Sequence, residues 1–271
     1  MHCKTIFTIA ENPARENSEM HQIKAVIFDF IGTLTNVVDY DMENSKMKLA
    51  QAIIEAGFKT STEEFLQAYS QAHEKYRIIR YEQLVEVTNA IWISEALNTL
   101  GFNTKPEDTK IKTAVNVFFE DYIETLDLRP SARKLLKKLS TTLKLGLISN
   151  FTFAPVVYAG LKRLDINQYF NVILVSDETG WRKPNTNVFK EALRRLKVTA
   201  EEIVYVGDSP LEDIKGAKAV GMKTVFVPSQ FYTLENLSES KQKPDLIVKD
   251  LCDLCKEISK LINEKIINES Q

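Results

Sequence analysis

Cysteine is scarce in this chain. Its 271 residues include only Cys3, Cys252 and Cys255, an odd number that is too small for a disulfide framework. Cys252 and Cys255 form a CxxC pair inside a helical pattern, and the sequence has no second pair that would complete a zinc site. We therefore interpret the cysteines as structural residues and expect a cytoplasmic protein.

Long apolar runs, histidine clusters and an excess of charge are also missing. No run approaches the roughly 18 apolar residues that span a bilayer, and residues 1–22 lack the features of a signal peptide. His2, His21 and His73 are too scattered for a His-based triad or a zinc-protease motif. A formal net charge of -2 favours neither nucleic acid nor a membrane as a partner. The sequence carries no signal for an oligomeric state.

The first 22 residues are expected to form a flexible N-terminal extension. Residues 1–19 are polar and aperiodic, so they offer little apolar surface that could fix them to a core. The first apolar run begins shortly after Met20. Our hypothesis is that Met20 is the biological start, and peptides from upstream of Met20 in the native protein would contradict it.

Residues 38–127 are dominated by helical patterns. Apolar residues recur at helical spacing in residues 41–56, after Thr62, in residues 84–100 and after Pro106. Glycine closes two of these patterns, as it often does beyond the end of a helix. The block predicts an all-helical subdomain of four or five helices, which we assign to residues 38–127.

Strand and helix patterns alternate in the rest of the chain. Continuous apolar runs lie at residues 25–28, 144–149, 172–176, 202–207, 223–227 and 246–248, and helical patterns separate the later ones. Such runs indicate buried parallel strands with helices on both faces of the sheet. The predicted fold class is therefore α/β, with residues 23–37 and 128–271 forming one core into which the helical block is inserted.

Side chains that can bind or react follow four of these runs. They are Asp29 and Thr33, Ser149 and Asn150, Lys183, and Asp208 with Asp213. Each pattern alone is typical of an ordinary turn. In open α/β folds, however, ligands bind beyond the carboxyl ends of the strands, so the order of these residues along a parallel sheet indicates one common site.

The three aspartates of this group predict a metal site. Asp29, Asp208 and Asp213 would bring like charges together, which is tolerable only with a bound cation and a nearby lysine. Mg²⁺ is the preferred ion, because it binds through a few carboxylates and water and can neutralise a phosphate. Lys183 would add a compact positive charge.

The same residues favour phosphoryl transfer. Thr33 and Ser149 would donate hydrogen bonds to the phosphoryl oxygens and position them for in-line attack. Asp29 would then act as the covalent nucleophile and form an aspartyl-phosphate.

The segments FDFIGTL, LISN, RKPN and VGDSPLED resemble the four motifs of the haloacid dehalogenase-like (HAD) hydrolase superfamily. The resemblance covers about residues 23–250. It implies a Rossmann-like, doubly wound core, a helical cap between the first two motifs, Mg²⁺, and the aspartyl intermediate. It also places Asn150, from the second motif, among the catalytic residues.

One position departs from these motifs. Phosphatases of the superfamily carry a second aspartate two residues after the nucleophile, where this chain has Ile31. That aspartate protonates the leaving group and activates water, work worth roughly 10²- to 10⁴-fold in rate, and isoleucine can do neither. The superfamily uses the backbone carbonyl of this position as a metal ligand. The implied metal site therefore comprises Asp29, the carbonyl of Ile31, Asp208 and Asp213.

Three functions remain open at this point. The first is a Mg²⁺-dependent phosphatase for a small anionic metabolite, in which a cap residue, a substrate group or water replaces the missing acid. The second is a 2-haloacid dehalogenase that attacks carbon through Asp29, since a departing halide needs no general acid. Those enzymes, however, resemble one another in having a tyrosine at the position of Ile31 and in working without metal. The third is a catalytically silent binding module.

Three residues of the helical block have a simpler explanation than substrate binding. Arg77, Arg80 and Tyr81 could meet an anionic substrate, but charged residues on a helix more often form a solvated face. We therefore expect these side chains at the surface.

Overall fold

The computed structural model describes residues 22–262. The expected N-terminal extension lies outside the described residues, apart from residue 22. Met20, our hypothesis for the biological start, also lies outside them. Within the described range, no helix is both long enough and apolar enough to cross a membrane.

Eight β-strands form in the described part of the chain. They are β1 (Ala25–Phe28), β2 (Thr35–Val37), β3 (Leu126–Leu128), β4 (Lys144–Ser149), β5 (Val172–Val175), β6 (Ile203–Gly207), β7 (Lys223–Phe226) and β8 (Leu246–Ile247). Six of them form one sheet in the order β5-β4-β1-β6-β7-β8, and all of its neighbouring strands are parallel. The predicted α/β, Rossmann-like architecture is confirmed.

The same range contains eleven α-helices. They are α1 (Met42–Glu55), α2 (Thr62–Gln83), α3 (Asn89–Thr99), α4 (Thr109–Thr125), α5 (Ala132–Leu139), α6 (Ala154–Arg163), α7 (Ser176–Thr179), α8 (Thr186–Leu196), α9 (Lys215–Lys218), α10 (Leu234–Ser240) and α11 (Leu251–Ile262). The first four lie between β2 and β3 in the chain, and we call residues 42–125 the helical insert.

Both faces of the sheet are buried. Val26 and Phe28 of β1 pack in one cluster with residues of α5, α6 and α11. Ala25 and Ile27, which point to the other face, pack with residues of α8 such as Phe189. Because neither face of β1 meets water, this strand has no polar alternation, and each large apolar side chain contributes roughly 1.5–3 kcal/mol by burial.

Most buried residues of the helical insert, including Ile53 and Phe118, belong to a second apolar cluster, to which the core contributes Val156 of α6. The first two helices of the insert begin at polar capping residues. Asp41 accepts a hydrogen bond from the backbone N–H of Asn44 at 2.9 Å, and Ser61 forms a capping box with Glu64. Such caps each contribute about 1 kcal/mol, so local sequence fixes where these helices start.

The predicted start of the third helix was wrong. Residue 84 follows the end of α2 with a φ of 55°, and the chain then runs extended until α3 begins at Asn89. In this segment Val85 forms an antiparallel bridge with Trp181. Helical periodicity could not reveal the segment, because its partner lies far away in the chain.

A short antiparallel ribbon joins the insert to the core. Thr35 pairs with Leu128 and Val37 pairs with Leu126. The sequence analysis missed this ribbon, since three-residue strands are too short to show a period. It holds the two chain connections between insert and sheet side by side.

Candidate active site

Asp29 lies at the carboxyl end of the central strand. β1 pairs with β4 on one side and with β6 on the other, so Asp29 stands where the order of the strands reverses. Its backbone N–H donates to the carbonyl of Val206 at 2.9 Å, and only 6% of the residue is exposed. A carboxylate in this position needs a charged partner.

Lys183 provides that partner. Its Nζ lies 2.7 Å from Asp29 Oδ1 and 2.7 Å from Asp213 Oδ1. It also lies 3.1 Å from the carbonyl of Ile148 and 3.2 Å from the hydroxyl of Tyr205. With 1% of its side chain exposed, Lys183 joins two carboxylates in a site that is almost closed to water.

Asn150 holds the backbone of Lys183 in place. Its Oδ1 accepts from the Lys183 N–H at 2.8 Å, and its Nδ2 donates to the Lys183 carbonyl at 3.0 Å and to Glu212 at 2.9 Å. The side-chain amide thus fixes the loop of residues 180–185 between α7 and α8, which we call the lysine loop. Ser149, the preceding residue, is buried at the end of β4.

Asp213 is oriented by the turn that follows β6. Residues Pro210–Ile214 form a π-helical turn before α9, whereas the sequence predicted one continuous helix. Asp213 Oδ2 accepts from the Ser209 N–H at 2.9 Å, and Oδ1 accepts from the Tyr205 hydroxyl at 3.0 Å. The π-helical turn contains Asp213, whose carboxylate makes these bonds. Turns of this kind are frequent at functional sites.

Asp208 completes the group of carboxylates. Its Oδ2 accepts from the Ser229 hydroxyl at 2.5 Å, and its Oδ1 lies 3.5 Å from the Thr33 hydroxyl. Gly32 has a φ of +98°, and a Cβ at this position would lie 2.3 Å from Asp208 Oδ2. Glycine is therefore required here by both the backbone conformation and the close approach of Asp208.

Burial controls the protonation of these groups. It raises the pKa of Asp29 from 3.8 to about 6, against the opposing effect of Lys183. It also raises the pKa of Asp208 well above its ordinary value, and the charges of Asp29 and Asp213 add to this. For Lys183 the two carboxylates outweigh burial and hold its pKa well above the ordinary value, so the lysine remains charged.

The donor set fits a hard divalent cation. Oxygens of Asp29, Asp208 and Asp213 lie within 4.8 Å of one another, and Lys183 offsets only one of the three charges. Asp29 Oδ2 is buried and has no hydrogen-bond partner, although buried carboxylate oxygens are normally paired. Carboxylates with an excess negative charge and an unpaired oxygen are suited to Mg²⁺.

Ile31 does not contribute a polar side chain to this group. Its side chain is half-buried and packs against the apolar cluster beneath the sheet, while its backbone forms a bridge with Thr35. Where the phosphatase motif has an acid, this chain thus has an apolar side chain with apolar contacts.

A cavity of about 550 Å³ lies between the helical insert and the residues that follow β4. Asn150 and Phe151 line it from the core, and Tyr122 lines it from α4. Asn150 is also bonded to the backbone of Lys183, and Arg182, the residue before Lys183, lines the cavity as well. The cavity therefore adjoins the group around Asp29 and Lys183.

Glu86 ties the insert to the lysine loop. Its carboxylate accepts from Arg80 at 2.7 Å, from Arg182 at 2.7 Å and from Ser176 at 2.5 Å. The prediction that Arg80 lies on a solvated face was wrong, since Arg80 is only 8% exposed. The helical pattern of the sequence could not reveal its partner Glu86, which lies six residues further along the chain in a loop.

The two neighbours of Arg80 in the same prediction behave as expected. Arg77 is half-exposed and pairs with Glu74 one turn away, and Tyr81 is 54% exposed.

Comparison with known proteins identifies the family. A sequence model of haloacid dehalogenase-like hydrolases matches residues 26–227, a range that contains Asp29, Lys183, Asp208 and Asp213. The chain belongs to the haloacid dehalogenase-like hydrolase family. It is accordingly an enzyme of the hydrolase class, as the four sequence segments predicted.

Two curated relatives of this hydrolase are phosphatases. It is 31% identical over 248 residues to the glyceraldehyde 3-phosphate phosphatase of Methanopyrus kandleri, a match that covers 88% of this chain and 99% of the relative. It is 29% identical over 208 residues to the ribulose-1,5-bisphosphate 5-phosphatase of Halopiger xanaduensis, covering 76% and 85% of the two chains.

Solved structures share the fold of this hydrolase. The 2-haloacid dehalogenase of Pseudomonas syringae pv. Tomato DC3000 matches with a TM-score of 0.64 and 24% identity over 88% of this chain and 99% of that one. The HAD phosphatase of Thermococcus onnurineus matches with a TM-score of 0.55 and 24% identity, covering 89% and 98%. A dehalogenase and a phosphatase match at the same identity, so these likenesses establish the fold and leave the reaction to other evidence.

Three polar residues of the hydrolase site were missed by the sequence analysis. Tyr205 had a usable signal, because a tyrosine in a fully apolar strand needs a partner for its hydroxyl. Ser229 and Glu86 had none, since both lie in irregular segments and bind residues that are distant in the chain.

Proposed function

We propose that this hydrolase is a Mg²⁺-dependent phosphatase that acts on a small phosphorylated metabolite through Asp29. The observation that carries the proposal is the convergence of Asp29 and Asp213 on Lys183 Nζ, with Asp208 within reach of the same ion. The phosphatases among its curated relatives support the same reaction class.

The metal would be held by Asp29, Asp208, Asp213 and the backbone carbonyl of Ile31. When bound, Mg²⁺ would neutralise charge on the phosphoryl group and so favour its approach to a carboxylate. The unpaired Oδ2 of Asp29 and the uncompensated charge of the three aspartates support this assignment.

Asp29 would act as the nucleophile. Lys183 stabilises its ionised form against the effect of burial, and the Asn150 amide keeps the lysine in place. Attack of the Asp29 carboxylate on phosphorus would break the bond to the ester oxygen, which keeps the electron pair and takes a proton from water to leave as the alcohol. Water then hydrolyses the aspartyl-phosphate, which regenerates Asp29 and releases inorganic phosphate. Thr33 and Ser149 would donate hydrogen bonds to the phosphoryl oxygens.

The helical insert would serve as a cap over the substrate. We propose a division into a cap of residues 38–127 and a core of residues 23–37 and 128–271. The apolar cluster formed mostly by the insert, and the cavity between insert and core, support this division.

Ile31 favours one second candidate, a 2-haloacid dehalogenase. Loss of the acid would not hinder a reaction whose leaving group is a halide anion. The three carboxylates argue against it, because a site that works without metal has no use for so much uncompensated negative charge.

The test is a panel of phosphate esters and 2-halo acids, each assayed for phosphate or halide release with Mg²⁺ and with a chelator. We expect Mg²⁺-dependent phosphate release that Asp29→Asn abolishes. Asp127→Asn is the matched control, since Asp127 is exposed on β3 and outside the site. Metal-independent chloride release from 2-chloropropanoate would overturn the proposal. Intact Mg²⁺ binding without turnover of any compound would favour a binding module instead.

A further inference from the structure

The wall of the 550 Å³ cavity is rich in aromatic rings. Of its eighteen lining residues, eight are Phe, Tyr or Trp. They include Tyr40, Tyr69, Trp92, Phe118 and Tyr122 from the insert side and Phe151 from the core. Several meet edge to face, as Tyr40 and Tyr122 do at 4.8 Å between ring centroids. Such walls bind flat ring systems through stacking and edge contacts.

The charges on this wall are already paired. Lys46 lies 2.7 Å from Glu43, and Arg80 and Arg182 both bind Glu86. His73 is held towards its neutral form, because burial, followed by the charge of Arg80, lowers its pKa. In the described structure each lysine and arginine of the wall thus has a carboxylate partner. The cavity is poorly suited to a second phosphate.

The cavity is also larger than a triose would need. Its volume of about 550 Å³ equals roughly 18 water molecules at about 30 Å³ each. A triose phosphate has only about ten non-hydrogen atoms, and the phosphate itself would lie at Asp29 and Lys183 outside this volume. A triose would therefore leave part of the cavity unfilled.

Two buried polar atoms of the lining residues, just behind the surface of the wall, lack partners. Asn89 Oδ1 and Trp92 Nε1 are buried without a hydrogen bond, and their residues lie three apart on α3 and line the cavity. One is an acceptor and the other a donor. A ring with both a donor and an acceptor on its edge could satisfy both after small shifts of the wall.

We propose, granted the phosphatase activity proposed above, that the substrate is a phosphate monoester with an uncharged leaving group that carries a flat heteroaromatic ring. The ring occupies the aromatic cavity, and its polar edge faces Asn89 and Trp92. Nucleoside 5'-monophosphates are the simplest esters of this class. Triose phosphates and bisphosphates lack the ring, and bisphosphates bring a charge that the wall does not match.

The test compares phosphate esters of the 5-hydroxyl of ribose with and without an attached base. Uridine or adenosine 5'-monophosphate and ribose 5-phosphate differ essentially in the base, so their ratio of kcat/KM reports the contribution of the ring. We expect the nucleotides to be favoured by at least about tenfold, which corresponds to about 1.4 kcal/mol. They should also exceed glyceraldehyde 3-phosphate and ribulose 1,5-bisphosphate.

Two variants connect this ratio to the cavity. Phe118→Leu removes a ring from the wall, and Ser70→Trp fills the cavity from an exposed position where folding is little affected. Both should lower the ratio severalfold. Phe58→Leu is the matched control, because Phe58 packs against Phe102 in the insert and does not line the cavity.

The outcomes separate this inference from the function on which it rests. Equal kcat/KM for nucleotide and ribose 5-phosphate, or a preference for the triose phosphate, would overturn the inference while the phosphatase assignment stands. A ratio that Ser70→Trp leaves unchanged would also overturn it. Release of no phosphate from any of these esters with Mg²⁺ present would contradict both.

Discussion

Ile31 is the residue that most directly limits the proposed reaction. It occupies the position from which an aspartate would protonate the leaving group, and its side chain packs against the core. Ile31→Asp should therefore raise the rate of phosphate release, by up to about 10²- to 10⁴-fold if the new acid reaches the ester oxygen.

Ile31→Asn is the matched control for this change. Asparagine has the shape and polarity of aspartate but cannot transfer a proton, so it should not raise kcat. Steady-state kinetics with Mg²⁺ measures both variants, and circular dichroism checks that each is folded. An unchanged or lower rate for Ile31→Asp would mean that the pocket has adapted to isoleucine.

His73 makes stability depend on pH. In the folded state burial lowers the pKa of His73 below its ordinary value of 6.5, and the charge of Arg80 lowers it further. Below pH 6.5 the unfolded chain therefore binds more protons than the folded one, so falling pH should reduce the free energy of unfolding until the folded pKa is passed. At higher pH both states are neutral at this position and the effect vanishes.

The check is urea unfolding of the wild type and His73→Phe at pH 7.5 and pH 5.5. Phenylalanine keeps a ring against Trp92, where the imidazole makes an edge contact at 4.9 Å. The variant should lose less stability than the wild type between the two pH values. Equal losses would exclude His73 as the source.

At this scale the sequence predicted which charged residues of the candidate site lie together but few of their partners. Asp29, Lys183, Asp208 and Asp213 could be predicted to meet because parallel strands bring their carboxyl ends to one edge. The ion pairs of Glu86 with Arg80 and Arg182 could not be predicted, because they depend on how a loop of the insert lies against the core. Side-chain pairs of that kind leave no pattern in the sequence.

The loop between α2 and α3 is the element that couples insert and core. Its backbone and that of the lysine loop exchange two hydrogen bonds, Glu86 N–H to Gly180 at 2.8 Å and Arg182 N–H to Leu84 at 3.0 Å. The Glu86 side chain is 1% exposed and that of Arg182 is 5% exposed. Lys183 follows directly, so the position of the insert and that of the lysine are linked.

Glu86→Gln should destabilise the protein by about 3–5 kcal/mol, because it removes the counter-charge of buried Arg80 and leaves buried Arg182 with only Glu212, at 3.5 Å. It should also lower kcat by disturbing the lysine loop. Glu95→Gln, which breaks the exposed pair with Lys75, should cost at most about 1 kcal/mol. Urea unfolding gives the two values, and a cost for Glu86→Gln as small as that for Glu95→Gln would contradict a structural tie.

Elements of ordinary length were predictable, and short or irregular ones were not. β4 was expected at residues 144–149 and lies at Lys144–Ser149, since its apolar run is long and bounded by turns. The ribbon of β2 and β3, the extended segment before α3 and the π-turn at Pro210–Ile214 escaped prediction. The ribbon and the extended segment are determined by contacts with distant residues, which override local propensity, and the π-turn interrupts an otherwise helical pattern around Asp213.

For the whole molecule, the aspartate group makes stability depend on metal. Three carboxylates with one lysine repel one another in the metal-free protein, and an ion that binds only the folded state stabilises it by mass action. Mg²⁺ at about 100 times its dissociation constant should add about 2.7 kcal/mol, and a chelator should remove this gain.

Thermal unfolding with and without Mg²⁺ measures the effect. Asp208→Asn should shrink the Mg²⁺-dependent rise in Tm, because it removes one ligand. Asp127→Asn, on the exposed face of β3, should leave the rise intact. A rise of the same size in all three proteins would place the ion elsewhere.

The central position of β1 also governs how the chain can fold as it is made. Ala25 pairs with Lys144 on one side and with Ile203 on the other, whereas the four helices of the insert pack mainly on one another. At about 5–20 residues per second, β4 leaves the ribosome roughly 6–24 s after β1. The insert can fold during this delay, while β1 remains an apolar strand with neither neighbour. Slower synthesis lengthens that delay, so β1 stays unpaired for longer the more slowly the chain is made.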